Sequence, residues 1–376
     1  LMGQSPPGTS YNEEGNGMPF LQGKAEFGKT FPNHIKFTTD PKRKTKKGSI
    51  LMSVRAPVGD VNIANIDYCI GRGLASLNLK NGDNNYLFYL LNYLKPKIEE
   101  SGTGSTFKAI TKSGLEKIKI PVPAIETQKK IVEILEKTEK LKEWRAEADE
   151  LANEYLKSVF LKMFGDPVHN KKNFPMIHLG SLGNGNKGDI RFGPFGSQLK
   201  IHELVEEGIQ VLGIENVGIN KFIHKKEKCI TPEKYEKLKG FTVYPGDVLV
   251  TGMGTVGRVC VVPEGHRTSI ISSHLFKMSL DLKKANPYYI SSAIAFSPHI
   301  KKQVELKSHG AIMAGLNTTI LKGLELYLPP IELQNKYETI LKKVETLKTH
   351  QSQSKQQIDN LFNTLMQKAF KGELVC

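Results

Sequence analysis

The chain is short of cysteine and has no cysteine pairing pattern. Four cysteines fall in 376 residues, at Cys69, Cys229, Cys260 and Cys376, with no CxxC spacing. That excludes a small disulfide scaffold and a cysteine zinc site, and it points to a reducing, cytoplasmic compartment. The ten histidines show no metal-ligand spacing, so no metal site is expected. No stretch approaches the ~20 apolar residues of a membrane span, and no basic-then-apolar leader opens the chain. No GxxxxGK[ST] phosphate loop is present, so ATP use by this chain is not expected. The first residue is Leu1 rather than Met, and the expectation is that the native chain starts further upstream. Acidic charge is also short. Only 38 Asp and Glu face 53 Lys and Arg, a formal charge of +15. An excess that large fits a polyanion partner such as nucleic acid or an acidic membrane face. The plain alternative is a soluble basic protein without such a partner. Hydrophobic residues make up 39%, enough for real cores and too many for a wholly disordered chain. At about 150 residues per domain, the length predicts two or three domains.

What the chain does have is an internal duplication. Residues 121–128 read Pro-Val-Pro-Ala-Ile-Glu-Thr-Gln, and residues 327–334 read Tyr-Leu-Pro-Pro-Ile-Glu-Leu-Gln. At this shift of 206, the stretch 123–142 gives 11 identities in 20 positions, where composition alone predicts about one. The same shift pairs Phe164 with Phe370 without a gap. Upstream, at a shift of 198, Gly48-Ser49-Ile50-Leu51-Met52-Ser53 matches Gly246-Asp247-Val248-Leu249-Val250-Thr251. Val58-Gly59 then matches Val256-Gly257, and Val61 matches Val259. The drift between shifts marks loops of different length on a kept framework. The second unit has a lead-in, Phe174 to Gly180, before its Gly193-Pro194-Phe195-Gly196-Ser197 turn. The first unit enters almost directly at Gly3-Gln4-Ser5-Pro6-Pro7-Gly8. The first unit is therefore expected to lack an opening strand or to receive one from elsewhere.

Two long helices are predicted. Residues 126–164 and 332–370 contain no Pro or Gly. A helix of roughly 39 residues is about 58 Å long. In the first, Ile134, Thr138, Leu141, Arg145, Ala148, Ala152, Tyr155 and Val159 alternate steps of four and three, a heptad-like seam. In the second, Tyr337, Ile340, Leu341, Val344 and Leu347 lie at one end, and Ile358, Leu361, Leu365 and Ala369 at the other. Its middle, Lys348 to Gln357, is polar all round, which predicts fraying, a partner-facing segment or a register device. Before each helix, Ser49–Val54 and Asp247–Thr251 read as strands ending in turns. Asn85–Ile98 and Pro287–Gln303 read as short amphipathic helices. Each unit is thus mixed α/β. The expected organisation is a first globular unit at 1–125, a long helix at 126–166, a second globular unit at 167–330 and a long helix at 331–376. These segments carry net charges of +7, −2, +8 and +2. Two basic heads on near-neutral helices predict two polyanion-binding modules at a fixed spacing.

The duplicated lead into each long helix resembles the specificity subunit of type I restriction-modification systems. So do Gly193-Pro194-Phe195-Gly196-Ser197, Gly3-x-Ser5-Pro6-Pro7, and the helix ends Met163-Phe164-Gly165-Asp166 and Lys368-Ala369-Phe370-x-Gly372-Glu373-Leu374. The resemblance covers essentially the whole chain. It implies two target recognition domains joined by two long antiparallel coiled-coil helices, related by a pseudo-twofold. Each domain would read one half of a split site on double-stranded DNA, with helix length setting the gap. It further implies a non-catalytic chain that docks two methyltransferase subunits, and through them restriction/translocase subunits. S-adenosylmethionine, ATP and Mg would then be bound by those partners, with no cofactor in this chain. The short N-terminus departs from the pattern and puts the first domain's opening strand in doubt. The physics agrees, because half-sites on one DNA face lie about one turn, ~34 Å, or a multiple of it apart, and diverged loops on similar frameworks can read different bases.

Candidate contacts follow. Lys42, Arg43, Lys44, Lys46 and Lys47 put five cations in six residues, which suits phosphate contact; the plain reading is a solvated loop. Lys221, Lys225 and Lys226, with Lys228, form the diluted counterpart beside Glu227. The loop Gly102 to Lys108, with Thr106, Phe107 and Lys108, and the loop Ser308 to Gly315 suit groove contact; either also reads as an ordinary connection. Arg55, Arg72, Arg191, Arg258 and Arg267 are candidates for guanine edges, though a single Arg is more often a surface ion pair. Gly59 and Gly257 read as turn positions. Ile134, Leu141, Ala148 and Tyr155 on the first helix, with Ile340, Leu347, Leu361 and Leu365 on the second, are the candidate spacer and subunit-docking positions.

Two rival classes stand beside this reading. The first is a self-sufficient DNA methyltransferase or nuclease. Asn286-Pro287-Tyr288-Tyr289 is faintly similar to an amino-methyltransferase motif but lacks its second Pro, and no Phe-x-Gly-x-Gly loop for the methyl donor exists. Asp281-Leu282-Lys283 with Asp247 mimics a nuclease core, yet Ser49 replaces Asp247 in the other half. The second rival is a DNA-binding scaffold without sequence preference.

Overall fold

The computed structural model describes all residues except 103–107, 166–169, 171, 226–227, 254–255, 309–315 and 375–376. The chain divides into two compact units. Unit 1 comprises Leu1–Glu147 and Ser352–Cys376; unit 2 comprises Ala148–Gln351. The long helices are Ile125–Phe164, of 40 residues, and Ile331–Lys371, of 41 residues. Each contributes one portion to each unit. The second runs unbroken through its polar middle.

Both units repeat one plan. In unit 1 the strand Ile50–Ser53 lies between Val61–Ile63 and Leu74–Leu77, antiparallel to both. In unit 2 Val248–Thr251 lies between Val259–Val261 and Leu275–Met278 in the same way. All four residues of each central strand are buried, as the apolar runs predict. A second sheet also recurs. Met18–Leu21 runs parallel to Tyr68–Ile70, and Ile209–Leu212 runs parallel to Ser269–Ile271. Gly59 and Gly257 sit at φ +91° and +85°, left-handed turn positions that favour glycine. Gly3 and Gly193 are matched in another sense. A Cβ on either would collide with the carbonyl of Gly71 or Ser272.

The head helices differ from expectation in one place. Asn84–Glu100 forms with Asp83 as its N-cap. The segment expected as one helix from Pro287 is two, Pro287–Phe296 and Pro298–Ser308. Pro298 supplies no N–H and drives Ser297 out of the α region; Ser297 has ψ 117°.

The lead-in of unit 2 is a strand. Met176–His178 pairs antiparallel with Glu325–Tyr327, and Leu324 and Leu326 beneath it are 1% and 3% exposed. The matching residues of unit 1, Lys119 to Pro121, have no strand partner among the described residues, and Ile118 and Ile120 are only half-buried.

In unit 1, Ile131, Val132 and Leu135 share a core with Met366, Ala369 and Phe370 and with the head residues Met52, Tyr86 and Leu90. Ile131 shares that core with Phe370, while further along Lys142 pairs with the earlier residue Asp359 at 2.9 Å, so the two helix portions run antiparallel. In unit 2, Leu156, Phe160 and Phe164 pack with Tyr337, Leu341 and Val344 against Val248, Phe276 and Ile290.

Candidate nucleic-acid interface

The basic run of unit 1 is exposed apart from Thr45. Lys44–Thr45 forms the edge strand of a five-stranded sheet, paired with Tyr68–Cys69. Lysines on an edge strand also keep it from pairing with other chains. The run is partly neutralised from nearby. Lys42 pairs with Asp40 at 2.7 Å and Lys46 with Asp67 at 3.0 Å. The Lys47 amide donates to Asp67 at 2.8 Å. That hydrogen bond, with the Lys46 ammonium, holds the Asp67 carboxyl below its usual range. Arg43, Lys44 and the Lys47 side chain have no ion pair among the described residues. The Ile70 amide donates to the Arg43 carbonyl, and Arg72 follows two residues later, its amide on Ser5 Oγ at 3.3 Å. Arg55 meets Ala109 in an isolated bridge. Arg55 and Lys108, both exposed, therefore stand together at the base of the 102–108 loop. Thr106 lies outside the described residues.

Unit 2 is less uniform. Arg191 is turned into the protein. Its guanidinium lies 3.9 Å from the Phe241 ring centroid and donates to the Gly240 carbonyl at 2.9 Å, and burial lowers its pKa. Gln210 ties two candidates together. Its Nε2 donates to the Lys225 carbonyl at 2.7 Å, and its Oε1 accepts from Arg267 Nη2 at 3.2 Å. Lys221 and Arg258 are exposed and flank the Asn220 to Val259 backbone hydrogen bond. Lys226 lies outside the described residues.

The helix seam matches the expected positions in part. Thr138 on the first helix and Tyr337, Leu341, Val344 and Ala369 on the second are buried as expected, whereas Ile131, Leu135, Leu156, Phe160 and Phe164 are buried outside the expected seam. Ile134 and Ala148 are half-buried. Leu141 and Tyr155 are 42% and 54% exposed, and Leu347 and Leu361 are 59% and 47% exposed. Ile340 and Leu365 are half-buried. The reason is that each helix portion packs on its own head as well as on the other helix. The buried face is therefore wider than a two-helix seam and takes in positions outside it. The outward positions are themselves duplicated, because the 206 shift pairs Leu141 with Leu347 and Tyr155 with Leu361.

The rival motifs are engaged elsewhere. Asn286 caps Pro287–Phe296 through Tyr288 N, and its Nδ2 donates to Asn335 at 2.8 Å and Glu338 at 2.5 Å. Its amide is not presented to a substrate. Asp247 is 4% exposed and accepts from Ser279 Oγ at 2.6 Å and Tyr244 N at 2.9 Å. Asp281 pairs with Lys284 at 3.1 Å. Among the described residues no group of three His, Cys, Asp or Glu is placed to hold a metal. The same residues include no helix long and apolar enough to cross a membrane. Sequence reasoning missed Lys277, which is buried beside a pocket of about 540 Å³ with Asp247. Burial raises the Asp247 pKa and lowers that of Lys277. Unit 1 has Ser49 and Ser76 at the matching strand positions. A lysine in an apolar strand was the available signal.

The model of the type I restriction modification DNA specificity domain family matches residues 6–149 and 205–360. The chain belongs to this family. Among relatives of this specificity-domain chain is a putative type I restriction enzyme MjaX specificity subunit of Methanocaldococcus jannaschii. It is 58% identical over 137 residues, 36% of this chain and 32% of the relative. The match thus spans about a third of that relative's length. The MjaVIII specificity subunit of the same organism is 23% identical over 303 residues, 78% of this chain and 70% of the relative. The type I restriction-modification S subunit of M. genitalium shares the specificity-domain fold with a TM-score of 0.54, at 18% identity, over 98% of this chain and 92% of its own. A chain from the complex assembly and conformational transition of the type I R-M system gives a TM-score of 0.65, at 16% identity, over 97% and 92%.

Proposed function

We propose that the chain is the non-catalytic DNA specificity subunit of a type I restriction-modification complex in the cytoplasm. Each head reads one half of a bipartite duplex site, and the long helices dock two methyltransferase subunits. Restriction/translocase subunits join through these. S-adenosylmethionine, ATP and Mg belong to the partners.

The observation that carries this reading is the duplication in three dimensions. Two basic heads share one sheet plan, and each packs on portions of both long helices. Two like partners need two like docking surfaces, and the outward pairs Leu141/Leu347 and Tyr155/Leu361 supply matched apolar positions. Exposed apolar side chains grouped on a helix are a mark of an interaction face.

The test is adenine methylation. The chain is co-produced with a type I methyltransferase subunit, and methylated adenines are mapped along the DNA by single-molecule sequencing. A split motif with a fixed gap is expected. Methylation by the purified chain alone would overturn the reading. Equal affinity for every DNA sequence would favour a non-specific scaffold instead.

A further inference from the structure

One buried glutamine in each unit links three elements in the same way. In unit 1, Gln128 Oε1 accepts from the Asp83 amide at 2.9 Å, and Gln128 Nε2 donates to the Pro123 carbonyl at 2.7 Å. In unit 2, Gln334 Oε1 accepts from the Asn286 amide at 2.8 Å, and Gln334 Nε2 donates to the Pro329 carbonyl at 2.7 Å. The two glutamines are 1% and 0% exposed. Asp83 and Asn286 are the N-caps of Asn84–Glu100 and Pro287–Phe296. Each glutamine therefore joins the start of a head helix, the long helix it sits on, and the proline segment leading into that helix.

A tyrosine adds a second point of attachment in each unit. Tyr86 Oη donates to the Pro121 carbonyl at 3.0 Å, and Tyr289 Oη donates to the Tyr327 carbonyl at 2.5 Å. Burial pushes the Tyr86 phenol up to about 12, so it stays a donor across the ordinary pH range. The glutamine ties the start of the head helix to the long helix, and the tyrosine ties it to the segment leading into that helix; two separate attachments resist rotation of the head, which a single one does not. Glutamine suits this position. Its Oε1 accepts from an amide while its Nε2 donates to a carbonyl, so two separate atoms reach two partners without burying a charge. An uncharged, buried latch is also insensitive to salt, unlike the lysine contacts to phosphate.

We propose that Gln128 and Gln334 are positioning residues that fix the angle of each head on its own long helix and thereby set how strictly the gap between half-sites is measured. This rests on the bipartite reading above. The head loops that would read bases are not touched by the latch. Loosening it changes the permitted gap and leaves the half-site bases as they are.

The experiment maps methylated adenines in cells that co-produce a type I methyltransferase subunit with wild-type chain, Gln128→Leu, Gln334→Leu, Tyr86→Phe or Tyr289→Phe. The wild-type chain defines both the half-sites and the gap. Each glutamine variant is expected to raise methylation at gaps one base pair longer or shorter by about threefold or more, at unchanged half-site bases. The tyrosine variants, which lose only a hydroxyl, are expected to show a smaller rise of the same kind. A merely structural loss would instead lower methylation at all sites in proportion, and that outcome overturns the proposal. Unchanged gap stringency in all four variants, or altered half-site bases, also overturns it. If the wild-type chain itself directs methylation to an undivided site, the bipartite reading fails first, whatever the variants do.

Discussion

At the scale of single residues, the candidate cations separate by what already holds them. Arg191 stacks on Phe241 and binds the Gly240 carbonyl, so its charge serves unit 2 itself. Arg191→Ala is expected to cost about 1–2 kcal/mol of stability and to change DNA affinity little. Chemical denaturation and a DNA titration on the same variant check both halves of that statement. The run Lys42 to Lys47 is the opposite case. Arg43, Lys44 and Lys47 keep exposed side chains with no carboxylate partner among the described residues. Neutralising Lys42, Arg43, Lys44, Lys46 and Lys47 together is expected to weaken binding on every sequence and to flatten the dependence of log K on log salt. An unchanged slope would place the phosphate contacts elsewhere. The pairing of Lys42 with Asp40 was within reach of the sequence, since the two are neighbours. The pairing of Lys46 with Asp67 was not, because a strand pairing brings Asp67 across.

At the scale of elements, the central strands, the turn glycines and both long helices were legible because each is written twice. A pattern that recurs at a fixed shift is far less ambiguous than either copy alone. Three features were not legible. The helix ending at Phe296 is cut by Pro298 within a run that otherwise reads as continuous. On the first helix Leu141 and Tyr155 fit a heptad as well as Ile131 and Leu135 do, and only packing on the head buries the second pair and leaves the first exposed. Gln128 and Gln334 recur at the 206 shift, but a glutamine in a charge-rich helix looks like a surface residue, and only the packing shows both buried. The packed seam makes its own prediction. Phe160 is 2% exposed and touches Phe164, Tyr289 and Tyr337, so Phe160→Ala is expected to cost about 3–5 kcal/mol. Leu141→Ala and Leu347→Ala are expected to leave stability within about 0.5 kcal/mol and to weaken methyltransferase docking. Thermal unfolding and co-purification separate the two effects.

At the scale of the whole molecule, the proposed function makes the long helices the ruler that converts residue count into distance. Seven residues inserted into each, after Glu147 and after Gln351, add about 10 Å, or about three base pairs. The methylated motif is expected to keep both half-sites and to gain that gap. Changed half-sites with an unchanged gap would reject the helices as a ruler. The division of the chain also orders its synthesis. Unit 2 is one continuous stretch, Ala148–Gln351, whereas unit 1 needs Ser352–Cys376 to cover Ile131, Leu135 and Tyr86. On the ribosome residues 1–147 are therefore made well before the segment that closes their core. Unit 1 waits, with its apolar helix face open, until about two hundred further residues have emerged, and this interval is when the nascent chain is most exposed to aggregation and most in need of a chaperone.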